Sequence, residues 1–210
     1  MATAASVHAT IYHDPPRADN FHYVYPTPNH FTNDAALTAA TNQYAVGYDA
    51  EHWMNGPAHI AGPQMVHDAV WSIYGHANSQ LMLCYELGQH TDLTKGMIAE
   101  YDLSGMRLAA FYGCNTAQGT DHITSRAVAS GSGAAIGFYG QVLLGSHATT
   151  GPADTWSWFF WNAMRSGNTV NAAAAYAKDQ YYAARGQYEG VDTWSTWGNG
   201  GQKITPAGYK

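Results

Sequence analysis

The chain carries two cysteines, Cys84 and Cys114, and eleven histidines. Cys114 closes an apolar run, "RLAAFYGC", and a small polar turn, "NTAQG", follows at once. His76 closes an earlier apolar run, "DAVWSIYGH". A glycine precedes each: Gly113 before the thiol and Gly75 before the imidazole. A thiol becomes a useful nucleophile only beside a base or in an electropositive setting. A histidine at the end of a neighbouring strand supplies that base. Glycines at the same points let backbone amides approach a reacting carbonyl and hold its oxyanion. The chemistry these residues fit is attack of Cys114 on a carbonyl. His76 would carry the proton, and amides near Gly75, Ala77 and Cys114 would receive the developing charge. The bland reading stands beside it. A cysteine after an apolar strand is commonly a small buried hydrophobe, and Cys84, inside "LMLCY", reads that way. Eleven histidines also raise the chance that one falls at a strand end by accident.

The elements that must position these residues follow from apolar periodicity. "SVHATIYHD" (6–14) alternates and predicts a first strand, whereas the Pro-rich "PPRADNFHYVYPTPNHF" predicts an irregular loop. "TNDAALTAATNQYA" predicts a helix with Thr32 or Asn33 as its cap. "AVGYDAEHW" predicts a short strand and "NGPAHIAGP" a loop. "DAVWSIYGHA" and "RLAAFYG" read as buried strands. Between them lie a hairpin arm, "QLMLCYELG", and a helix within "DLTKGMIAEYDLSGM", with Asp92 near its start. "TDHITSRAVASG" predicts a short helix and "AAIGFYGQVLL" a third buried strand. "GPADTWSWFFWNAMRSG" and "TVNAAAAYAKDQYYAARG" predict helices, each ended by glycine. The tail after residue 187 is Gly- and Trp-rich and carries no clear period. Helices alternating with apolar strands predict an α/β three-layer sandwich, a mostly parallel sheet with helices on both faces. No repeat or linker divides the chain, so residues 1–210 predict a single domain. In open α/β sheets, sites form outside the carboxyl ends of the strands. Gly75-His76 and Gly113-Cys114 both fall there.

Bulk properties exclude several function classes. The formal net charge is -6 with only 9 Lys+Arg, which argues against a nucleic-acid partner. No apolar run approaches the roughly 20 residues that span a bilayer. Two cysteines are too few for a disulfide framework. Charged residues reach 11% and aromatics 13%, a balance that fits a secreted or extracellular protein better than a cytosolic one. "MATAASVHATIYHD" lacks a basic region before a long apolar core, so it is not an intact signal peptide and fits a mature form with an added Met1.

From "WSIYGHANSQLMLCYELG" through "QHTDLTKGMIAEYDLSGMRLAAFYGCNTA", the chain resembles the core of the caspase–hemoglobinase fold, the clan CD cysteine peptidases. CHAT-type and gingipain-like members are the nearest in style. The resemblance implies a Gly-His at one strand end, a small hairpin, a helix, and a strand ending in the nucleophile. It often implies a Cys-x-Thr context, which Cys114-Asn115-Thr116 matches. "AVASGSGAAIGFYGQV" and "WSWFFWNAMRSGNTVNAAAAYA" resemble the next strand and two covering helices, so residues 66–180 are covered. Many members carry His-Gly where this chain has His76-Ala77, and an alanine amide approaches less freely. Chain order excludes two rivals, since amidotransferase-like and papain-like hydrolases place the cysteine before the histidine.

The resemblance implies a cysteine endopeptidase with His76 and Cys114 catalytic, a peptide or protein substrate, and no organic cofactor. Asn115 and Asp121, in and after the nucleophile turn, are its substrate-side residues. Asp154 joins them in the loop that would line the specificity pocket, "LLGSHATTGPADTW" (143–156). Pointing into the pocket, Asp154 would favour Arg or Lys; otherwise it caps the following helix. "HDPPRADNFH" and "EHWMNGPAHIAGPQMVHD" are rich in metal-ligating types but lack any metal-site spacing, so no metal is expected. In "TWSWFFW", Trp158, Phe159 and Trp161 read as sheet cover before a sugar platform. Two rivals remain: an inactive member of the fold acting as a binding or assembly module, and a secreted glycan-binding domain. Oligomeric state is open.

Overall fold

A computed structural model describes residues 10–23, 35–54, 57–86, 89–143 and 151–210. The order is β1 (Arg17–His22), α1 (Ala35–Tyr44), β2 (Asp49–Met54), α2 (Ala58–Gln64) and β3 (Asp68–Tyr74). A hairpin follows, β4 (Leu81–Glu86) and β5 (Gln89–Thr94), then α3 (Lys95–Ile98) and β6 (Leu108–Tyr112). The chain continues through α4 (Ile123–Ala129), β7 (Ala134–Phe138), α5 (Pro152–Arg165), α6 (Val170–Arg185) and β8 (Trp194–Gly198). Six strands form one sheet in the order β2-β1-β3-β6-β7-β8, parallel except where β8 runs against β7, while β4-β5 stands apart.

The central strands are apolar because both faces are covered. On β6, Leu108, Ala110 and Tyr112 belong to the core cluster that includes residues of α1, α5 and α6, while Ala109 and Phe111 belong to the one that includes residues of α2, α3, α4 and the hairpin. Trp156, Phe160 and Trp161 of α5 are buried against the sheet, whereas Trp158 is half exposed and faces out. The stacked Tyr74 and Tyr112 rings lie 4.2 Å apart, and the Trp161 indole N–H donates to the Tyr74 hydroxyl at 2.8 Å. These contacts tie the ends of β3 and β6 to α5.

Three local expectations are corrected. Residues 10–14 of the expected first strand are not strand, and residues 6–9 lie outside the described residues. The strand is instead Arg17–His22, inside the stretch read as loop for its prolines; Asp19, Asn20 and His22 also break the apolar pattern. Those side chains are buried with partners in reach. Asn20 and Gln43 exchange hydrogen bonds at 2.6 and 3.1 Å, and the Ser72 hydroxyl donates to Asn20 at 2.6 Å. Second, "NGPAHIAGP" contains α2, whose helical character Pro57, Gly62 and Pro63 conceal. Third, Asp92 belongs to β5, and the helix after it is only the four residues of α3. The tail supplies β8, and its last residues run back to Arg107, whose guanidinium donates to the carbonyls of Ile204, Pro206 and Tyr209.

At the amino ends of β1 and β3, Asp68 is buried with neither oxygen accepting a hydrogen bond among the described residues, and Arg17 Nε lies 3.9 Å away. Burial, then the neighbouring Asp19, pushes its pKa well above the ordinary carboxylate value. Asp19, 3.0 Å from the Arg17 guanidinium, is raised too, chiefly by burial. A carboxyl with a raised folded pKa keeps its proton after the unfolded chain has lost it. Its stabilising effect is whole below the unfolded pKa, about 4, and fades as pH rises through the folded value. Stability to urea is therefore expected to fall with rising pH in this window, and Asp68→Asn should flatten the slope. An unchanged slope in Asp68→Asn would reject this account.

Candidate active site

β3 and β6 pair in parallel with Ile73 opposite Phe111 and Tyr74 opposite Tyr112. His76 and Cys114 each lie two residues beyond the carboxyl end of these adjacent strands. Their two loops touch. A Cβ built on Gly113 would sit 2.6 Å from the Gly75 carbonyl oxygen and 2.6 Å from the Ala77 Cβ, so only glycine fits there. Gly75 is packed as well, with Tyr23 Cβ 3.2 Å from where its Cβ would be. One expectation changes here. The Gly75 amide donates to the Tyr112 carbonyl at 3.1 Å and belongs to the sheet, so it is not a free oxyanion donor. The Ala77 and Cys114 amides engage no backbone acceptor among the described residues.

The loop carrying His76 takes its shape from Asn78 and from the hairpin. The Asn78 side chain accepts from the amides of Gln80 and Leu81 at 2.8 and 3.2 Å, a local turn that asparagine makes readily. The His76 carbonyl accepts from the Leu83 amide at 2.8 Å, which fastens the loop to β4. Met82, Cys84 and Leu93 bury the hairpin against the sheet. The imidazole itself is exposed. The Ser79 carbonyl accepts from the Ile123 amide at 2.8 Å, joining this loop to the start of α4. Asp121, exposed beside that junction, pairs with Lys95 at 2.6 Å and Arg126 at 2.9 Å. Its pKa is lowered, first by the hydrogen bond from Lys95 and then by that from Arg126.

The turn after Cys114 is held against β7 and the residues beyond it. Asn115 has φ 60°, in the left-handed region that asparagine tolerates better than most residues. The Asn115 amide donates to the Gly140 carbonyl and the Ala117 amide to the Phe138 carbonyl, both at 2.9 Å. Cys114 is half-buried, and its thiol donates to the Val142 carbonyl at 3.2 Å. Thr116 is fully buried under the turn. The segment 138–143 is thus the floor of the site. Sequence reading ran one strand, 134–144, through all of this segment, whereas β7 ends at Phe138, and it missed the contact with the thiol; no residue type in "GQVLL" signals a backbone carbonyl.

The other candidates are otherwise engaged. Cys84 is buried, and burial pushes its pKa up to about 11, the setting of an unreactive thiol. His122 is buried at the start of α4, where its Nδ1 accepts from the Ser125 amide at 3.1 Å, and burial lowers its pKa. His22, at the end of β1, is buried with its ring 5.7 Å from that of Tyr74. Asp154 is buried as the third residue of α5, and its Oδ2 accepts from the Gly151 amide at 3.0 Å. The helix begins three residues earlier than the expected cap position required, since Pro152 starts it. The rest of the expected pocket loop, 144–150, lies outside the described residues. His13 and His67 approach within 3.1 Å, but no three metal-ligating side chains converge among the described residues. No helix among them is long and apolar enough to cross a membrane.

No family model and no curated protein matches the sequence. Solved structures do match. The Arg-specific cysteine proteinase gingipain R aligns at a TM-score of 0.66 and 10% identity, covering 89% of this chain and 47% of that one. The complex of Porphyromonas gingivalis RgpB pro- and mature domains aligns at 0.67 and 9%, covering 89% and 48%. The chain thus spans about half the length of these neighbours. With a six-stranded, mostly parallel sheet, helices on both of its faces, and this alignment over nearly all of its length, the chain has the caspase–hemoglobinase fold.

Proposed function

We propose that the chain is a cysteine-dependent peptide-bond hydrolase with a His76–Cys114 dyad. The observation that carries this reading is the contact of the two loops at Gly113, Gly75 and Ala77, the residues that adjoin the histidine and the thiol. It supports a meeting of a nucleophile and a base of the right types at the carboxyl end of the two central strands. The cysteine-peptidase fold of the gingipain neighbours supports it.

The steps follow from the residues. Cys114 passes its proton to His76, and the sulfur attacks the scissile carbonyl carbon. The amides of Ala77 and Cys114 hold the oxyanion. The C–N bond breaks as the His76 imidazolium gives its proton to the leaving amine, which leaves a thioester on Cys114. His76 then takes a proton from water, the oxygen attacks the thioester, and the C–S bond breaks to release the acid and restore the thiol. Asn115, beside the nucleophile, is the substrate-side residue this reading keeps. Asp121 ties α3 to α4 through Lys95 and Arg126, and Asp154 secures the start of α5.

A second reading, an inactive member of the fold that binds a protein, draws on one contact: the thiol points its proton at the Val142 carbonyl. Labelling separates the two. A mixture of peptidyl acyloxymethyl ketones ending in Arg, Lys, Asn, Asp or Ala, followed by mass mapping, should modify Cys114 and spare Cys84. Absence of labelling at Cys114 under conditions where iodoacetamide modifies it would favour the binding module.

A further inference from the structure

We propose that Thr116 is a positioning residue for Cys114, acting through the turn that presents the thiol; this rests on the hydrolase reading. Its side chain is fully buried and makes three polar contacts. The hydroxyl shares its proton between the Phe111 and Gly113 carbonyls, each at 3.2 Å, and accepts from the Phe138 amide at 3.0 Å. One side chain thus joins the end of β6, two residues before Cys114, to the end of β7. Its backbone carbonyl accepts from the Thr124 hydroxyl at 2.8 Å and the Thr124 amide at 3.3 Å, which adds the first turn of α4.

The packing around this joint is closed. A Cβ on Gly137 would lie 2.6 Å from the Thr116 hydroxyl and 2.5 Å from the Thr124 hydroxyl, so β7 must be bare there for the two threonines to fit. Asn115, between Cys114 and Thr116, takes φ 60°, a conformation that the surrounding structure must hold in place. Thr116 supplies the hold on one side, and the Asn115 amide bond to Gly140 supplies it on the other. The direction of the Cys114 amide and Sγ is set between these fixed points. The amide is an oxyanion donor in the proposed reaction, so a small rotation of the turn misaims the donor and the sulfur relative to a bound carbonyl while leaving the thiol's own reactivity in place.

Thr116→Val keeps the shape and removes the hydroxyl, whereas Thr116→Ser keeps the hydroxyl. The readouts are two second-order rates at Cys114, one with the peptidyl acyloxymethyl ketone mixture and one with iodoacetamide. The first needs the oxyanion donors and the second does not. Thr116→Val is expected to lower the ketone rate by about 10²-fold, the scale of a misplacement near 1 Å. The iodoacetamide rate should change by less than about threefold, and Thr116→Ser should recover most of the ketone rate. Thr124→Val, which removes the hydroxyl on the Thr116 carbonyl, serves where Thr116→Val does not fold and should show the same split at smaller size. Equal loss of both rates, or a Ser variant as slow as the Val variant, would mark Thr116 as merely structural and overturn the proposal. Failure of the wild-type protein to react with the ketones would instead remove the hydrolase reading and this proposal with it.

Discussion

Cys114→Ala and His76→Ala are each expected to abolish peptide hydrolysis, by on the order of 10⁴-fold or more, with the fold intact. The expectation rests on where the side chains stand. His76 is exposed, and its loop is held by backbone bonds and by Asn78, so the truncation should move stability by no more than about 0.5 kcal/mol. Cys114 is half-buried and loses one thiol bond to the Val142 carbonyl, a cost of about 1 kcal/mol. Neither loss approaches the stability of a domain, about 5–15 kcal/mol, so lost activity cannot be put down to unfolding. Cys84→Ala should behave in the opposite way. It empties a buried site in the hairpin and should cost about 1–3 kcal/mol while activity stays. The double variant of Cys114 and His76 should be no worse than either single one, since the two act as a unit. Turnover of a quenched peptide library, read beside urea unfolding, checks all four proteins. Full turnover by Cys114→Ala would sink the dyad, and additive losses in the double variant would separate its two members.

Much of the frame of this candidate site was legible in the sequence because strands and glycines leave strong local marks. "DAVWSIYGH" and "RLAAFYGC" are apolar on both faces, and each ends in a glycine before a reactive type. Their pairing as parallel neighbours followed from the alternation of strands with helices, and β3 does lie beside β6. What failed locally failed for tertiary reasons. β1 hides its strand character because Asp19, Asn20 and His22 are polar; Asp19 pairs with Arg17 of the same strand, and Asn20 is tolerated there because Gln43 and Ser72 come from elsewhere in the chain. α2 hides behind two prolines and a glycine. The loss of the Gly75 amide to the sheet turned on how far the β3–β6 ladder extends, and the sequence does not mark the last bond of a ladder. Thr116 was visible only as part of a Cys-x-Thr context. Its contacts to Phe138 and Gly137 needed the fold, because β7 is far along the chain from the nucleophile turn.

Gly113→Ala is expected to damage the site through a single added methyl group. The new Cβ would meet two groups at 2.6 Å, the Gly75 carbonyl oxygen and the Ala77 Cβ, a separation that real Cβ atoms essentially never show. Neither neighbour is the flexible end of a long side chain, so a backbone must move. The segments that can give way are the loop of His76 and the turn of Cys114, and each displacement misaligns the pair. Overpacking of this kind costs about 1–3 kcal/mol of stability. The effect on turnover should be larger, about 10²-fold or more, because a shift near 1 Å is enough. Ala77→Gly in the same chain removes one of the two clashes and leaves the carbonyl oxygen, so it should restore part of the rate and not all of it. Gly96→Ala is the control. Its Cβ would have only Thr94 Oγ1 at an ordinary 3.6 Å, and it is exposed in α3, so turnover should not change. Wild-type turnover in Gly113→Ala would mean that the two loops can part without disturbing the chemistry, and the contact offered for the dyad would lose its force.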